Sequence, residues 1–251
     1  MFVHPALPPT GLLDLHCHIL PGIDDGCQEL TQSLECVRLW IDAGFSGAVC
    51  TPHVCTTWYP DNNPRRIAGW VQALQREIDA VGWRFDLWTG GEVRLGHRTI
   101  DWFAEFGVPT LGPGKAVLID WWGNDWPVCC DATIEYLLAA GYQPILAHPE
   151  RMGLEANELE VILDRLAAQG VWLQGNLNSL SGGEGPYAQA LGDRLMQADR
   201  YYLLASDTHT PDSVPGRQQG LRRTLQKHGE EHVSRLLADR PREVLSWGID
   251  Q

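Results

Sequence analysis

Residues 14–26 read DLHCHILPGIDDG. Two histidines stand one residue apart, and two aspartates and a glycine follow. The apolar run GLLDLH (11–16) that leads into this segment reads as a short strand. In a strand, residues i and i+2 point to one face. His16 and His18 therefore share a face at the end of that strand, with Cys17 opposite. Working outward, strand and helix patterns alternate. CQELTQSLECVRLWIDAGF (27–45) carries Leu30, Leu34, Val37 and Ile41 at helical spacing, with Gly44 as its stop. GAVCTPH (47–53) is strand-like, and PRRIAGWVQALQREIDAVG (64–82) is a helix with proline at its start. RFDLWTGGE (84–92), AVLIDWW (116–122), QPILAHPER (143–151), VWLQGN (171–176) and YYLLASDTH (201–209) are further strands. CDATIEYLLAAG (130–141), NELEVILDRLAAQG (157–170), RQQGLRRTLQKHG (217–229) and EEHVSRLLAD (230–239) are helices. Such alternation implies a parallel sheet with crossover helices. Seven strands with polar ends favour an α/β barrel over an open sheet, and 251 residues suit one barrel domain.

The polar clusters fall at matching places. His53 follows the second strand and Glu92 the third. Asp120 ends the fourth, His148 and Arg151 follow the fifth, and Asp207 and His209 follow the seventh. In parallel barrels the C-terminal strand ends form the catalytic face. Taken singly, each motif has an ordinary explanation: DDG is a turn, SDTH an N-cap, HPER a surface ion pair. Taken together, so many ionisable groups in one register require a partner. Imidazole and carboxylate are the mixed ligands that suit manganese, iron or zinc.

Composition sets the bounds. The chain is 44% hydrophobic and 20% charged, with a formal net charge of -13. That charge argues against a nucleic-acid partner. No apolar run is long enough to span a membrane. The start, MFVHPALPPTG, has no basic segment and no apolar core, so no signal peptide is expected. Seven cysteines without paired C-x-x-C spacing are expected to be free thiols in the cytoplasm. With no internal repeat or linker, residues 1–251 are expected to form one domain.

The array DLHCHILPGIDDG, TPH, GGE, LID, AHPER, SDTH and GR resembles the PHP (polymerase and histidinol phosphatase) superfamily. More closely it resembles the capsule-type bacterial protein tyrosine phosphatases within it. The resemblance covers residues 14–217 and implies a distorted (β/α)7 TIM-like barrel of PHP type. It also implies a cluster of up to three divalent ions, manganese foremost, with iron or zinc as alternatives. By position, His16, His18, Glu92 and Asp207 match ligands of the first metal. Glu92, Asp120 and His148 match those of the second, and Asp25, His53 and His209 those of the third. Arg151 and Arg217 match phosphate-binding arginines. The implied substrate is a phosphotyrosine protein, a tyrosine autokinase of polysaccharide export, and a homo-oligomer is compatible with the resemblance.

One ligand departs from the pattern, because the family has Glu where this chain has Asp120. The shorter side chain reaches roughly 1.5 Å less far, about one backbone bond length. Metal–ligand distances tolerate only about ±0.2 Å. The strand must shift, a water must intervene, or that metal binds more weakly.

Closely spaced ions would activate water and neutralise phosphoryl oxygens. A tyrosyl leaving group, with a pKa of about 10, departs without a strong general acid. Thiolate chemistry is disfavoured: the residue six after Cys55 is Asp61, not the arginine of a C-x5-R loop. A modified-lysine amidohydrolase is disfavoured because Asp120 holds the place of the lysine. Hydrolysis of a small phosphomonoester such as histidinol phosphate is the main alternative, and a scaffold on a decayed site the weakest. Trp58, Tyr59 and Trp122 are candidates for an aromatic wall, and Asn176 for a hydrogen-bonding lining.

Overall fold

The structure, a computed structural model, describes residues 3–249. Its strands are β1 (Leu12–Cys17), β2 (Phe45–Cys50), β3 (His53–Val54), β4 (Asp86–Thr89), β5 (Glu92–Arg94), β6 (Ala116–Asp120), β7 (Gln143–Ala147), β8 (Trp172–Asn176) and β9 (Leu203–Ala205). Its helices are α1 (Leu30–Asp42), α2 (Pro64–Val81), α3 (Thr99–Phe106), α4 (Val128–Ala139), α5 (Ala156–Ala168), α6 (Leu177–Ser181), α7 (Gly185–Gln197), α8 (Val214–His228), α9 (Glu230–Ser234) and α10 (Arg240–Ser246). Every strand pairing is parallel. This is an α/β fold with two parallel sheets, ordered β1-β2-β4 and β3-β5-β6-β7-β8-β9.

Seven expected strands thus become nine segments, because two strands are interrupted. Thr51–Pro52 separates β2 from β3, where proline has no N–H to give a ladder. Gly90–Gly91 separates β4 from β5. A Cβ on Gly90 would press on Val49 and Leu111, and one on Gly91 on Val54 and Pro109. Both kinks lie immediately before candidate ligands, His53 and Glu92, which pair in register. The last strand approaches the first: the His18 N–H donates to the Thr208 carbonyl and the Asp207 N–H to the His16 carbonyl, both at 2.7 Å.

A further irregularity sits in β1. Asp14 pairs with Ala48 and Cys17 with Cys50, so three steps on β1 match two on β2. Such a bulge re-aims side chains. Leu13 and Leu15 join an inner cluster of mostly strand residues that includes Val49, Leu118, Ile145 and Leu203. After the bulge His16 and His18 face the site, and Cys17 joins the helix-covered core.

The helices follow their sequence signals. α2 begins at Pro64 with the Asn63 side chain accepting the Arg66 N–H, and stops at left-handed Gly82. It buries Ile67, Val71, Leu74 and Ile78, each worth about 1.5–3 kcal/mol of burial. α1 starts at Leu30, three residues later than the pattern predicts, because Glu29 and Gln32 form a capping box. The stretch after β8, read as a polar lining, folds into α6. The Asn176 side chain caps it through the Asn178 N–H, and Leu177 and Leu180 are buried.

Candidate metal centre

The strand ends bring four imidazoles around one carboxylate, Glu92, with a fifth, His209, beside Asp25 and Asp207. Glu92 Oε1 lies 3.0 Å from His148 Nε2 and 3.4 Å from His16 Nε2. Its Oε2 lies 2.8 Å from His53 Nδ1 and 3.5 Å from His18 Nε2. Asp207 Oδ1 stands 3.4 Å from both His16 Nε2 and His18 Nε2. Asp25 Oδ1 is 3.2 Å from His53 Nε2 and 3.5 Å from His209 Nε2.

Outer partners fix the ring orientations. His16 Nδ1–H donates to Gln174 Oε1 and His18 Nδ1–H to Asp24 Oδ2, each at 2.8 Å. Both Nε2 atoms are left facing inward, 3.2 Å apart. Asp24 Oδ2 also accepts the His53 backbone N–H at 3.0 Å. Asp24 and Gln174 are partners of the candidate ligands that the sequence reading missed. Asp24 is visible within DDG, but spacing alone does not say which aspartate turns inward.

The backbone is strained where the ligands sit. His148 has φ 29° and Asp207 φ 53°, a region L-residues avoid at a cost of roughly 1–3 kcal/mol. Arg217 holds the second of these. It is buried, and its guanidinium donates to the carbonyls of Ser206 (2.8 Å), Asp207 (2.5 and 3.1 Å) and Ser213 (3.0 Å). Beneath the loop, buried Asp14 accepts the N–H groups of Ser206 and His16 and the Ser206 hydroxyl.

Among the described residues, three groups hold ligand atoms mutually within 4.8 Å: His18, Asp25, His53 and His209; His16, His18 and Asp207; and His16, Glu92 and His148. Asp120 stands apart from these groups, with its carboxylate 3.7 Å from His148 Nδ1. Asp120 Oδ2 is buried without a hydrogen-bond donor, and Glu92 Oε2 has none in line despite its proximity to His53. Buried carboxylate oxygens without donors are costly unless a cation satisfies them. The donor set, imidazole nitrogen and carboxylate oxygen at strand ends, therefore fits divalent metal ions.

The protein groups titrate as one charged assembly. Burial pulls the His18 pKa down, but Asp24 and Asp207 outweigh it and raise it to about 10. At His53 burial again opposes, and Glu92 and Asp25 raise it to about 11. Burial pushes Glu92 up, yet His16 and His53 hold it well below the usual carboxylate range. Asp207 is likewise held well below that range by His16 and His18 against burial. Asp120 is different: burial, with the Glu92 charge beside it, raises it to about 7.

A cavity of about 390 Å³ opens over this assembly. It is lined by Asp25, His53, Glu92, Asp120, His148, Asp207 and His209, and by the loop residues Trp121–Asn124 and Arg151–Gly153. Arg151 sits on its rim and donates to Asp207 Oδ2 at 2.6 Å. Arg217, expected beside phosphate, is not among the lining residues; its donors are turned to backbone carbonyls. Asn176 also lies outside the lining, where its amide donates to Asp207 Oδ2 at 3.0 Å. Trp122 lines the cavity and meets the His53 ring edge-on at 5.1 Å. Tyr59 stacks on His53 at 5.7 Å, and Trp58 stacks on Trp122 at 5.8 Å.

Tyrosine-protein phosphatase YwqE of Bacillus subtilis (strain 168) is 29% identical over 198 residues, 79% of this chain and 77% of that one. A solved structure of the pair YwqE from Bacillus subtilis and CpsB from Streptococcus pneumoniae, described as unique metal-dependent tyrosine phosphatases, matches with TM-score 0.82. Its identity is 27%, and the match covers 93% of this chain and 94% of that chain. The inactive dihydroorotase-like domain of a Chaetomium thermophilum CAD-like multifunctional protein shares the fold alone. It matches at TM-score 0.56 and 11% identity, over 94% of this chain and 79% of that one. With its family model matching residues 12–246, the chain belongs to the capsular polysaccharide synthesis family CpsB/CapC.

Proposed function

We propose that this protein is a metal-dependent protein-tyrosine phosphatase, with residues 1–251 forming one PHP-type domain on a distorted (β/α)7 barrel. The observation that carries the reading is the assembly of five imidazoles with Glu92, Asp207 and Asp25, lying under a cavity with Arg151 on its rim. The seven strand paths, with Asp207 and Thr208 just after β9 bonded to His16 and His18 at the end of β1, support the barrel.

His16, His18, Asp25, His53, Glu92, Asp120, His148, Asp207 and His209 would hold up to three divalent ions, manganese foremost, with iron or zinc as alternatives. Bound there, such ions supply Lewis acidity that acidifies water and neutralises phosphoryl oxygens. The remaining work falls to the chain. Asp24 and Gln174 hold the His18 and His16 rings with Nε2 inward. Arg151 is about one-third exposed, so its planar fork can leave Asp207 and bind phosphoryl oxygens bidentately. Arg217 and Asn176 act on Asp207, one through its carbonyl and one through its carboxylate. Trp122 supplies an apolar flank for the phenyl ring, with Trp58 and Tyr59 behind it. The phenolate leaves unprotonated, so no general acid is assigned. Asp120, a short carboxylate outside the three ligand groups, lines the same cavity and would offer its oxygen there.

The substrate on this reading is a phosphotyrosine protein, a tyrosine autokinase of polysaccharide export, met in the cytoplasm. Seven free cysteines and the lack of a helix long and apolar enough to cross a membrane, among the described residues, are consistent with that setting. The -13 net charge favours a protein over a nucleic-acid partner, and assembly as a homo-oligomer fits the reading.

The test is competition in one tube between matched phosphotyrosine and phosphoserine peptides and histidinol phosphate, using manganese-reconstituted protein. Preferential release from phosphotyrosine is expected. Preference for histidinol phosphate would move the protein to small-molecule hydrolysis on the same metal centre.

A further inference from the structure

Arg94 ends β5, two residues beyond Glu92, and so points to the same face. Its guanidinium carbon lies 4.1 Å from the Trp58 ring centroid and 4.7 Å from that of Trp122. The two indoles are themselves 5.8 Å apart and inclined by 29°. Arg94 Nη1 is buried and makes no hydrogen bond. Among the described residues no ion pair accounts for where this cation sits; the two aromatic faces do.

The two tryptophans belong to different loops. Trp58 lies between β3 and α2, and Trp122 between β6 and α4. The two residues are 56% and 42% exposed. Large aromatic rings left in solvent at a cavity mouth mark a recognition surface. Trp122 both lines the cavity and abuts His53. Arg94 thus ties two loops into one wall whose inner ring borders the candidate metal centre. A free indole would sample several rotamers and would lose freedom on binding, whereas a clamped one is already placed.

We propose that Arg94 is a specificity-determining residue: by clamping Trp58 and Trp122 it fixes the wall on which the phenyl ring of phosphotyrosine lies, and so selects aryl over alkyl phosphomonoesters. This rests on the tyrosine-phosphatase reading and deepens it. Arg94 acts through Trp122 and touches no substrate atom. The phosphoryl group is handled by the metal centre and Arg151, to which Arg94 itself makes no hydrogen bond or ion pair among the described residues, so the selection falls on binding of the ring.

The experiment compares wild type, Arg94→Ala, Arg94→Lys and Trp122→Leu, all reconstituted with manganese. Phenylphosphonate and methylphosphonate, which are not hydrolysed, are titrated by calorimetry. Turnover of a phosphotyrosine peptide and of glycerol phosphate is measured alongside. Wild type should bind phenylphosphonate more tightly than methylphosphonate. Arg94→Ala and Trp122→Leu should lower that ratio about fivefold or more, the scale of a lost aromatic contact. Arg94→Ala should raise KM for the phosphotyrosine peptide with little change in kcat. Arg94→Lys, which keeps a cation over the rings, should restore most of the ratio. An unchanged ratio in Arg94→Ala, or an equal loss for both phosphonates, would overturn the clamp. A wild-type protein with no aryl preference, or none for the phosphotyrosine peptide, would overturn the function reading itself. Should Arg94→Ala not fold, Trp122→Leu and Arg94→Lys carry the same comparison.

Discussion

Asp24 Oδ2 holds the His18 ring and the His53 amide at once. Replacing it by Asn keeps the shape but removes the charge that fixes the His18 tautomer. Asp24→Asn should weaken manganese binding about 10- to 100-fold, the usual cost of losing such a partner. Chelator competition measures it, and unchanged affinity would contradict the assigned role. A second expectation concerns protons. A histidine must be neutral to ligate. His18 and His53, raised to about 10 and 11, carry protons at neutral pH in the protein alone. Metal uptake at pH 7 should therefore release protons, and affinity should rise with pH up to about 10–11. Calorimetry in two buffers of different ionisation enthalpy reads the release; zero release would contradict it. His16 and His18 were legible in the sequence because they end an apolar run in strand register, and Glu92 because it closes the third strand pattern after Gly90–Gly91. Arg217 was read as a phosphate ligand because a sequence gives its position but not the direction of its guanidinium. The sharp left-handed turn at Asp207, which presents carbonyls to that guanidinium, has no sequence signature in a non-glycine residue.

At the scale of elements, the interrupted strands carry the site. His53 and Glu92 sit just beyond the two kinks, in register with each other. The bulge in β1 turns both Leu15 and His16 inward. Strand existence could be read from apolar runs, whereas the kinks and the bulge could not, since they arise from pairing between segments distant in sequence. α6 escaped notice because residues 176–183 are rich in Asn, Ser and Gly, which signal loops. Here Asn176 acts as a helix cap instead. α8 packs closely on α6 at Gly220, where an added Cβ would fall on the Leu177 carbonyl oxygen. Gly220→Ala should cost about 1–3 kcal/mol of stability by overpacking. Urea unfolding should show a lower midpoint with an unchanged slope, and an unaltered midpoint would mean that α6 and α8 are not in contact as described.

At the scale of the molecule, burying Asp24, Glu92, Asp120 and Asp207 with four histidines in one assembly is costly for the protein alone, and bound ions should offset it. Manganese at about 100 times its dissociation constant should add about 2.7 kcal/mol of stability, visible as a raised Tm. Asp207→Ala should lack most of that rise while remaining folded. The central claim is that this one assembly is the seat of phosphotyrosine hydrolysis. Its most direct test is phosphate release from a phosphotyrosine peptide as manganese is titrated into chelated protein, wild type beside Asp207→Ala. The account predicts release that climbs with bound metal and saturates at no more than three equivalents, with none from the folded variant. Equal release by metal-free protein, or full activity in Asp207→Ala, would contradict it.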